Sequence, residues 1–547
     1  MRRRLATLAP RTVAGVALAA AVIAYYVFAE WIVPLPFYSL KYDPEMAYFM
    51  NSLALFKGVP YAYIDHPGTP VLTIGSLLLA LTRPWTRSLG VLFIPYHVAN
   101  PQVFLALGHG MLTLASVACV VVLARRVIPD RGPRGILASS AVAVCFFAAY
   151  PTTSFGTLTF WSHNSFAFSF GTLLLAWWVI RLRGETAVTP ATAAVAGAMA
   201  GLLTAVQMYF LAWGFGVLAA FGLHAWLRGE GWRAAGAKVA AAGLGLGAGF
   251  FVGFAPVMFR FREFYPWVGR LITRQGRYGT GPEGATTPPM WIENLRRLWQ
   301  QAPWIFLVSG FVVGLMFLAM RARKGSIRDD PAWWASSLAL LLQLAVLWAA
   351  IGKHPGTPYL LGVAAVLPLL LALALEVLVY RGDWRATLGT VAGAAVIAAF
   401  VVGWAISALE QARTARQIAV AEDVLARTIR DYADRSGLDP ATLNVLWVYG
   451  VPSRCLALRY GDLSASRALE AEIDTICRNE WAYEVWGGYL QYPGAYESPP
   501  VRRPWDLIIV PGRALPLPSE EVGGVLDTGL PTAGYGTIHI LTPPEAP

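Results

Sequence analysis

The stretch Tyr42–Pro70, YDPEMAYFMNSLALFKGVPYAYIDHPGTP, decides how the rest of the chain is read. An almost wholly apolar run, Val13–Leu35, precedes it, and a second apolar run, Val71–Leu81, follows. Its first half predicts a short helix: Asp43 suits the cap, Pro44 the first helical position, and Gly58 the position past the end. Met46, Phe49, Met50, Leu53 and Phe56 recur at helical spacing and give one apolar face. Such a helix, directly after an apolar run, is expected to lie on a membrane surface with Asp43 and Glu45 at its start. Asp65 and His66 then open a rigid Pro-Gly-Thr-Pro turn.

Composition outside this stretch agrees with a membrane setting. The 547 residues are 56% hydrophobic and 14% charged, with a mean hydropathy of +0.52. That is less charge than a soluble domain carries, so the chain must cross a bilayer repeatedly. The net charge of +11 fits cytoplasmic loops and lipid headgroups, and no motif for nucleic acid is present. MRRRLATLAPR before Val13–Leu35 predicts a retained first span with the N-terminus inside, because the apolar run is longer than a cleaved signal core.

Further spans are predicted at Pro101–Ala124, Ile136–Tyr150 and Phe166–Ile180. Ala191–Trp226 holds two short ones with a tight turn near Gln207-Met-Tyr209. Ala234–Met258, Trp304–Met320, Trp333–Ile351, Tyr359–Tyr380 and Ala386–Leu409 complete a set of about eleven. Val71–Leu81 is too short to span and is expected to be interfacial or re-entrant. Gly243, Gly245, Gly247 and Gly249 lie in an apolar run without a strand–turn–helix context, so they predict close helix packing and not a nucleotide loop. Basic turns alternate along the chain as the positive-inside rule requires. The long loop Phe259–Pro303 departs from that alternation: it carries Arg260, Arg262, Arg270, Arg274, Arg277, Arg296 and Arg297 on the side the count makes external. Either one span is miscounted or these arginines face an anion such as a lipid phosphate.

From Glu410 the character changes. A charged helical stretch runs to Arg435; LNVLWVYG, WDLIIVP and GTIHILT read as strands, with a helix around Ala465–Arg478. This divides the chain into a transmembrane domain, residues 1–409, and a small α/β domain, residues 410–547, which follows an outward span and is expected outside the cytoplasm. Cys455 and Cys477, the cysteine pair in that polar region, suggest a disulfide, whereas Cys119 and Cys145 sit in apolar runs.

The order of an Asp after the first span, a short juxtamembrane helix and a His before a Pro-rich turn resembles the GT-C superfamily of integral membrane glycosyltransferases. The branch concerned contains protein mannosyltransferases and aminoarabinose transferases. Asp43 and His66-Pro67 match the first loop of that family. Lys353, Tyr359-Leu-Leu361 and Pro368 match a late segment in which a cation at the outer end of a span precedes Tyr-Leu-Leu and Pro. The resemblance covers Val13–Leu409. It implies an α-helical polytopic fold and transfer of a sugar from a polyprenyl-phosphate donor to a glycan, lipid or protein acceptor. The active site would face outward from a bacterial inner membrane. Asp43 would be the general base of an inverting reaction. Lys353, Tyr359, Arg270, Arg274 and Arg277 would meet the lipid-linked substrate, with Glu45, Asp65, His66 and His163 in supporting contacts.

Each of these residues also has a plain structural reading. Asp43 can be only a cap, Asp65-His66 only a turn, Lys353 an interfacial snorkelling lysine, and the arginines a solvated basic surface. The pentapeptide His66–Pro70 recurs at His354–Pro358, which is either chance or one turn used twice at one site. One departure from the family stands out: the loop after the third span, YPTTSFGTLTFWSHNSF, has His163 and Asn164 where many members carry a second acid. This leaves the need for a divalent metal open and admits a catalytically inactive relative. A transporter or lipid-handling protein is the reading from another class. Few charges lie inside the spans apart from Glu376, and no repeat of halves is visible, which favours an enzyme at the interface.

Overall fold

The computed structural model describes residues 2–38, 42–62, 68–128, 133–148, 160–184, 188–275, 282–284, 286–323, 325–353, 355–380, 384–448, 451–484, 489–492, 495–497, 506–511, 524–532 and 536–542. Among them, nine helices are long and apolar enough to cross a membrane, and ten if the bent pair Thr69–Ser88 and Phe93–Ala99 counts as one span. The shorter apolar helices Arg134–Phe147 and Pro190–Val206 lie at two more of the expected eleven spans, but fall below the length that the nine meet. Val71–Leu81 forms part of the bent pair, whose two arms meet at 105°, as expected for a broken or re-entrant element. The chain falls into two compact units. The first comprises Met1–Phe28, Ile64–Val71 and His109–Leu409; the second comprises Ala29–Tyr63, Leu72–Gly108 and Glu410–Pro547.

The first unit is a helical bundle. The helix Leu360–Tyr380 is enclosed on all sides, with Leu360 through Leu375 buried almost completely. A helix apolar all round belongs inside a larger structure. Pro190–Val206 and Trp232–Phe254 form the closest helix pair. Their contact uses Gly197 and Gly201 on one helix and Gly245 and Gly249 on the other. A methyl group at any of the four would run into a backbone carbonyl of the partner helix: Ala242, Leu246, Ala194 and Ala198 respectively. Two small-xxx-small motifs thus bring the backbones together, as the sequence leads one to expect. Gly243 and Gly247 face away, with open space or ordinary contact at their α-carbons. Arg183 bonds the Val127 carbonyl at 3.0 Å and pairs with Glu376 at 2.6 Å. The one acid noted within a span is thereby matched by a cation at a basic helix end.

Two sequence expectations need correction in this unit. Phe259–Pro303 is not a loop throughout: it holds the helices Phe261–Thr273 and Pro288–Gln301. Both place aromatic and aliphatic residues against charged ones at helical spacing, a pattern obscured by Pro266 and by the density of arginines. The final apolar segment does not stop at Leu409 but continues as one helix, Trp384–Ser436.

The second unit is built around a seven-stranded mixed sheet. Its strands are β1 (Val445–Val448), β2 (Glu480–Glu484), β3 (Tyr489–Tyr492), β4 (Ala495–Glu497), β5 (Leu507–Pro511), β6 (Gly524–Thr532) and β7 (Gly536–Thr542), in the order β4-β3-β2-β1-β5-β7-β6. β1 is central and parallel to both β2 and β5; the remaining pairs are antiparallel. The expected strands are β1, β5 and β7. β6 is hidden in the sequence by Gly, Asp and Pro, which an edge strand tolerates. The expected helix over Ala465–Arg478 is only Glu470–Ile476, because Ser466 and Arg467 adopt positive φ and break it. Arg454–Ser464, capped by Ser453, supplies the main β1–β2 crossover helix. Cys455 and Cys477 are bonded, with Cα atoms 5.6 Å apart; Cys119 and Cys145 are buried free thiols.

Candidate functional site

The helix expected in the first loop is Tyr42–Ala54, continued by a 3₁₀ turn, Leu55–Lys57, and closed by Gly58 at φ 77. A left-handed glycine is the ordinary end of a helix. Asp43 lies in the first turn, one residue inside the observed start, and its side chain is outside the described residues. The helix does not present one apolar face to a membrane surface. Met46, Phe49, Met50 and Leu53 are buried, and so are Glu45, Ala47, Tyr48, Asn51, Ser52 and Ala54. One side meets Arg454–Ser464, where the Asn51 amide donates to the Ser464 carbonyl at 2.9 Å and Lys57 pairs with Glu472 at 3.0 Å. Another meets Thr69–Leu81, where Ser52 donates to the Leu72 carbonyl and Ser76 to the Ser52 carbonyl, both at 3.1 Å. Glu45, 6% exposed, therefore belongs to the interior of the second unit. Asp65 and His66 lie outside the described residues.

In the first unit one cation bridges two helix ends. Lys353 ends the helix Pro331–Lys353, and its ammonium donates to the Ile272 carbonyl at 2.6 Å. Ile272 lies between Arg270, in the last turn of Phe261–Thr273, and Arg274, which caps that helix in extended conformation. Because the helix stops at Thr273, Arg270 and Arg274 do not share the helical face that their spacing suggests. Lys353, brought in from 81 positions away, reaches the backbone between them. Arg274 continues into a small antiparallel turn: Gln275 N–H donates to Pro282 O at 3.1 Å and Gly284 N–H to Thr273 O at 2.8 Å. Arg277 lies outside the described residues.

The Lys353 end is fixed from a second direction by residues that sequence reading missed. Trp291 Nε1 donates to the Ala349 carbonyl at 3.1 Å, and Asn294 Nδ2 to the Gly352 carbonyl at 2.8 Å. The Gly352 carbonyl is among the last four of its helix, which lack a partner within it, and Asn294 satisfies it; the Ala349 carbonyl takes the Trp291 bond in addition. Trp291 and Asn294 are three residues apart and face one way, which was the available signal. The end of Pro331–Lys353 thus bears on the last turn of Phe261–Thr273 through Lys353, and on Pro288–Gln301 through Trp291 and Asn294.

Tyr359 is nearly buried at the end of a 3₁₀ turn, its ring 5.6 Å from that of Tyr209. His163 opens the helix His163–Arg183, is 7% exposed, and shares a 3.0 Å hydrogen bond with the Asn164 amide. The two Pro-Gly-Thr-Pro turns differ: Gly68 has φ 58 and its N–H donates to the Val206 carbonyl at 3.2 Å, while Gly356 is extended at φ −169. Both open helices, but they are not one turn used twice. Gln207, where the helix Pro190–Val206 ends, is wholly buried with no hydrogen-bond partner at either carboxamide atom. Among the described residues, no three His, Cys, Asp or Glu side chains gather in a way that could hold a metal ion.

No protein-family model and no curated protein matches the sequence. Among solved structures, the fold is similar to that of ArnT from Cupriavidus metallidurans, in a crystal structure bound to undecaprenyl phosphate. The TM-score is 0.51, sequence identity is 13%, and 97% of each chain is covered. The likeness is one of fold: the α-helical polytopic membrane fold with a small C-terminal sheet region, expected from the sequence, is the fold observed, and it is ArnT-like.

Proposed function

We propose that the chain is a glycosyltransferase that moves a sugar from a polyprenyl-phosphate-linked donor to an acceptor glycan, lipid or protein at the extracytoplasmic membrane face. The observation that carries the reading is the meeting of Lys353 with the Arg270–Arg274 segment at the Ile272 carbonyl. A lipid phosphate lies at the depth where apolar spans end, and a cation held at such an end is matched to it in charge. Similarity of fold to ArnT raises the prior, although fold by itself does not fix chemistry.

In the proposed reaction Asp43 accepts the proton of the acceptor hydroxyl as its oxygen attacks the anomeric carbon. The bond from that carbon to the lipid phosphate breaks, and its electron pair stays on the phosphate oxygen. Lys353, Arg270 and Arg274 stabilise the departing charge. Attack opposite the leaving group inverts the anomeric centre. Arg277 and Tyr359 are assigned to the lipid-linked donor, and Glu45, Asp65, His66 and His163 to supporting contacts. Residues 410–547 are assigned to the same extracytoplasmic side, which the Cys455–Cys477 bond supports because disulfides persist in oxidising compartments.

The test is transfer by the purified protein in lipid nanodiscs, using radiolabelled polyprenyl-phosphate pentoses and hexoses with a membrane extract as acceptor. Transfer by the wild type that is lost in Asp43→Asn supports the assignment. Tight binding of undecaprenyl phosphate without transfer from any donor would instead identify a lipid-handling protein or an inactive relative.

A further inference from the structure

We propose that the Gln207 carboxamide recognises hydroxyl groups of the sugar carried by the lipid-linked donor; the proposal rests on the donor reading above. Gln207 is wholly buried, and neither its Oε1 nor its Nε2 has a hydrogen-bond partner. Trp213, six residues on and equally buried, leaves its Nε1 without a partner. Two donors and one acceptor in a seven-residue stretch are therefore unmet. Each buried unmet polar group costs about 1–3 kcal/mol, so a fold that keeps three together has a use for them.

The chain leaves Pro190–Val206 in extended conformation at Gln207, φ −159 and ψ 126, and resumes through a 3₁₀ turn, Met208–Phe210, into Leu211–Leu227. A carboxamide wholly buried in the turn between two apolar helices, with no partner at either atom, calls for an explanation. Aromatic rings surround the break: Tyr209 lies 5.6 Å from Tyr359, and Phe210 lies 4.5 Å from Trp213. A carboxamide can donate to one hydroxyl and accept from its neighbour, while aromatic faces suit the C–H face of a sugar ring. An apolar lipid tail or a bare phosphate calls for neither.

The break is tied to the cationic end of the site. The Tyr209 hydroxyl donates to the Leu347 carbonyl at 3.4 Å, and Leu347 stands six residues before Lys353 on one helix, about 9 Å along its axis. Phosphate at Lys353 and sugar at Gln207 would then be two ends of one donor headgroup. The carboxamide is enclosed without ligand, so entry of a sugar requires local movement.

The experiment compares wild type, Gln207→Leu and Gln207→Met, the last nearly isosteric with glutamine. Two quantities are read: the Tm without ligand, and Kd values for undecaprenyl phosphate and for undecaprenyl-phosphate pentoses and hexoses. We expect the apolar variants to have an equal or higher Tm, because unmet polar atoms are removed. Affinity for the preferred glycosylated carrier should fall about tenfold or more, with Kd for the bare carrier unchanged. The inference is overturned if the variants keep the wild-type preference for glycosylated over bare carrier, or if the wild type binds the bare carrier and gains nothing from any sugar. Wild type that binds neither carrier removes the donor reading and this inference together.

Discussion

Replacing Lys353 by glutamine separates two roles that coincide in one side chain. The ammonium donates a 2.6 Å hydrogen bond to the Ile272 carbonyl, and it brings a positive charge to the backbone between Arg270 and Arg274. Glutamine keeps an N–H donor of similar reach and removes only the charge. If Lys353 holds a donor phosphate at about 4 Å, the charge contributes about 1 kcal/mol in water-like surroundings and about 4 kcal/mol at an effective dielectric of 20. The group is partly solvated, so the lower half of that range applies. Lys353→Gln should therefore weaken undecaprenyl phosphate binding about 5- to 30-fold, or about 1–2 kcal/mol. The loss should shrink as salt is raised, because exposed charges are screened. The helix end should stay in place, since Trp291 and Asn294 still satisfy the Ala349 and Gly352 carbonyls. Binding measured in nanodiscs at two ionic strengths, with Tm in parallel, is the assay. Unchanged affinity in Lys353→Gln, combined with a lowered Tm in Lys353→Ala, would refute the phosphate role and leave the lysine as a clasp between two helices.

Asp43→Asn keeps the side-chain size and the ability to accept a hydrogen bond at a helix start; if Asp43 is the base, transfer should fall by about 100-fold or more with Tm preserved, read in the radiolabelled assay. Gly249→Ala sets a methyl against the Ala198 carbonyl, closer than the 3.0 Å that real Cβ contacts essentially never breach. It should destabilise the bundle by about 3 kcal/mol, at the upper end of overpacking costs because backbone cannot rotate away; Gly247→Ala, which meets nothing, should not lower the Tm. Burial pushes the Asp462 carboxyl up to about 7, with Glu470 adding to the effect and the Leu469 N–H, Arg459 and Lys57 opposing it. The folded chain then holds a proton that an unfolded aspartate releases near pH 4, so stability is fullest below that pH and declines as pH rises toward 7. Asp462→Asn should flatten the decline over pH 4–7 in the Tm profile, and an unaltered profile would count against the burial effect.

The sequence by itself determined the elements whose cause is local. Apolar length fixed the spans, small residues four apart announced the Gly245–Gly249 contact, and the break near Gln207 followed from a polar residue between two apolar runs. The central strands β1 and β5 were legible because burial on both faces leaves a continuous apolar string. The paired cysteines and the cation before Tyr359-Leu-Leu361 were also visible as residue types in order. What covers each face was decided only in three dimensions. The Tyr42–Ala54 helix has the pattern of a membrane-surface helix, yet the second unit encloses it. The bond from Lys353 to the Ile272 carbonyl joins segments 81 positions apart, and no periodicity in either encodes it. Gln207 reads as an ordinary turn residue until burial removes every partner from its amide. The physical reason is common to all three: lipid tails and protein interior are equally apolar, so a hydrophobic pattern states that a surface leaves water without stating what replaces it. Tertiary packing makes that choice, and with it decides which polar groups remain for a substrate to meet.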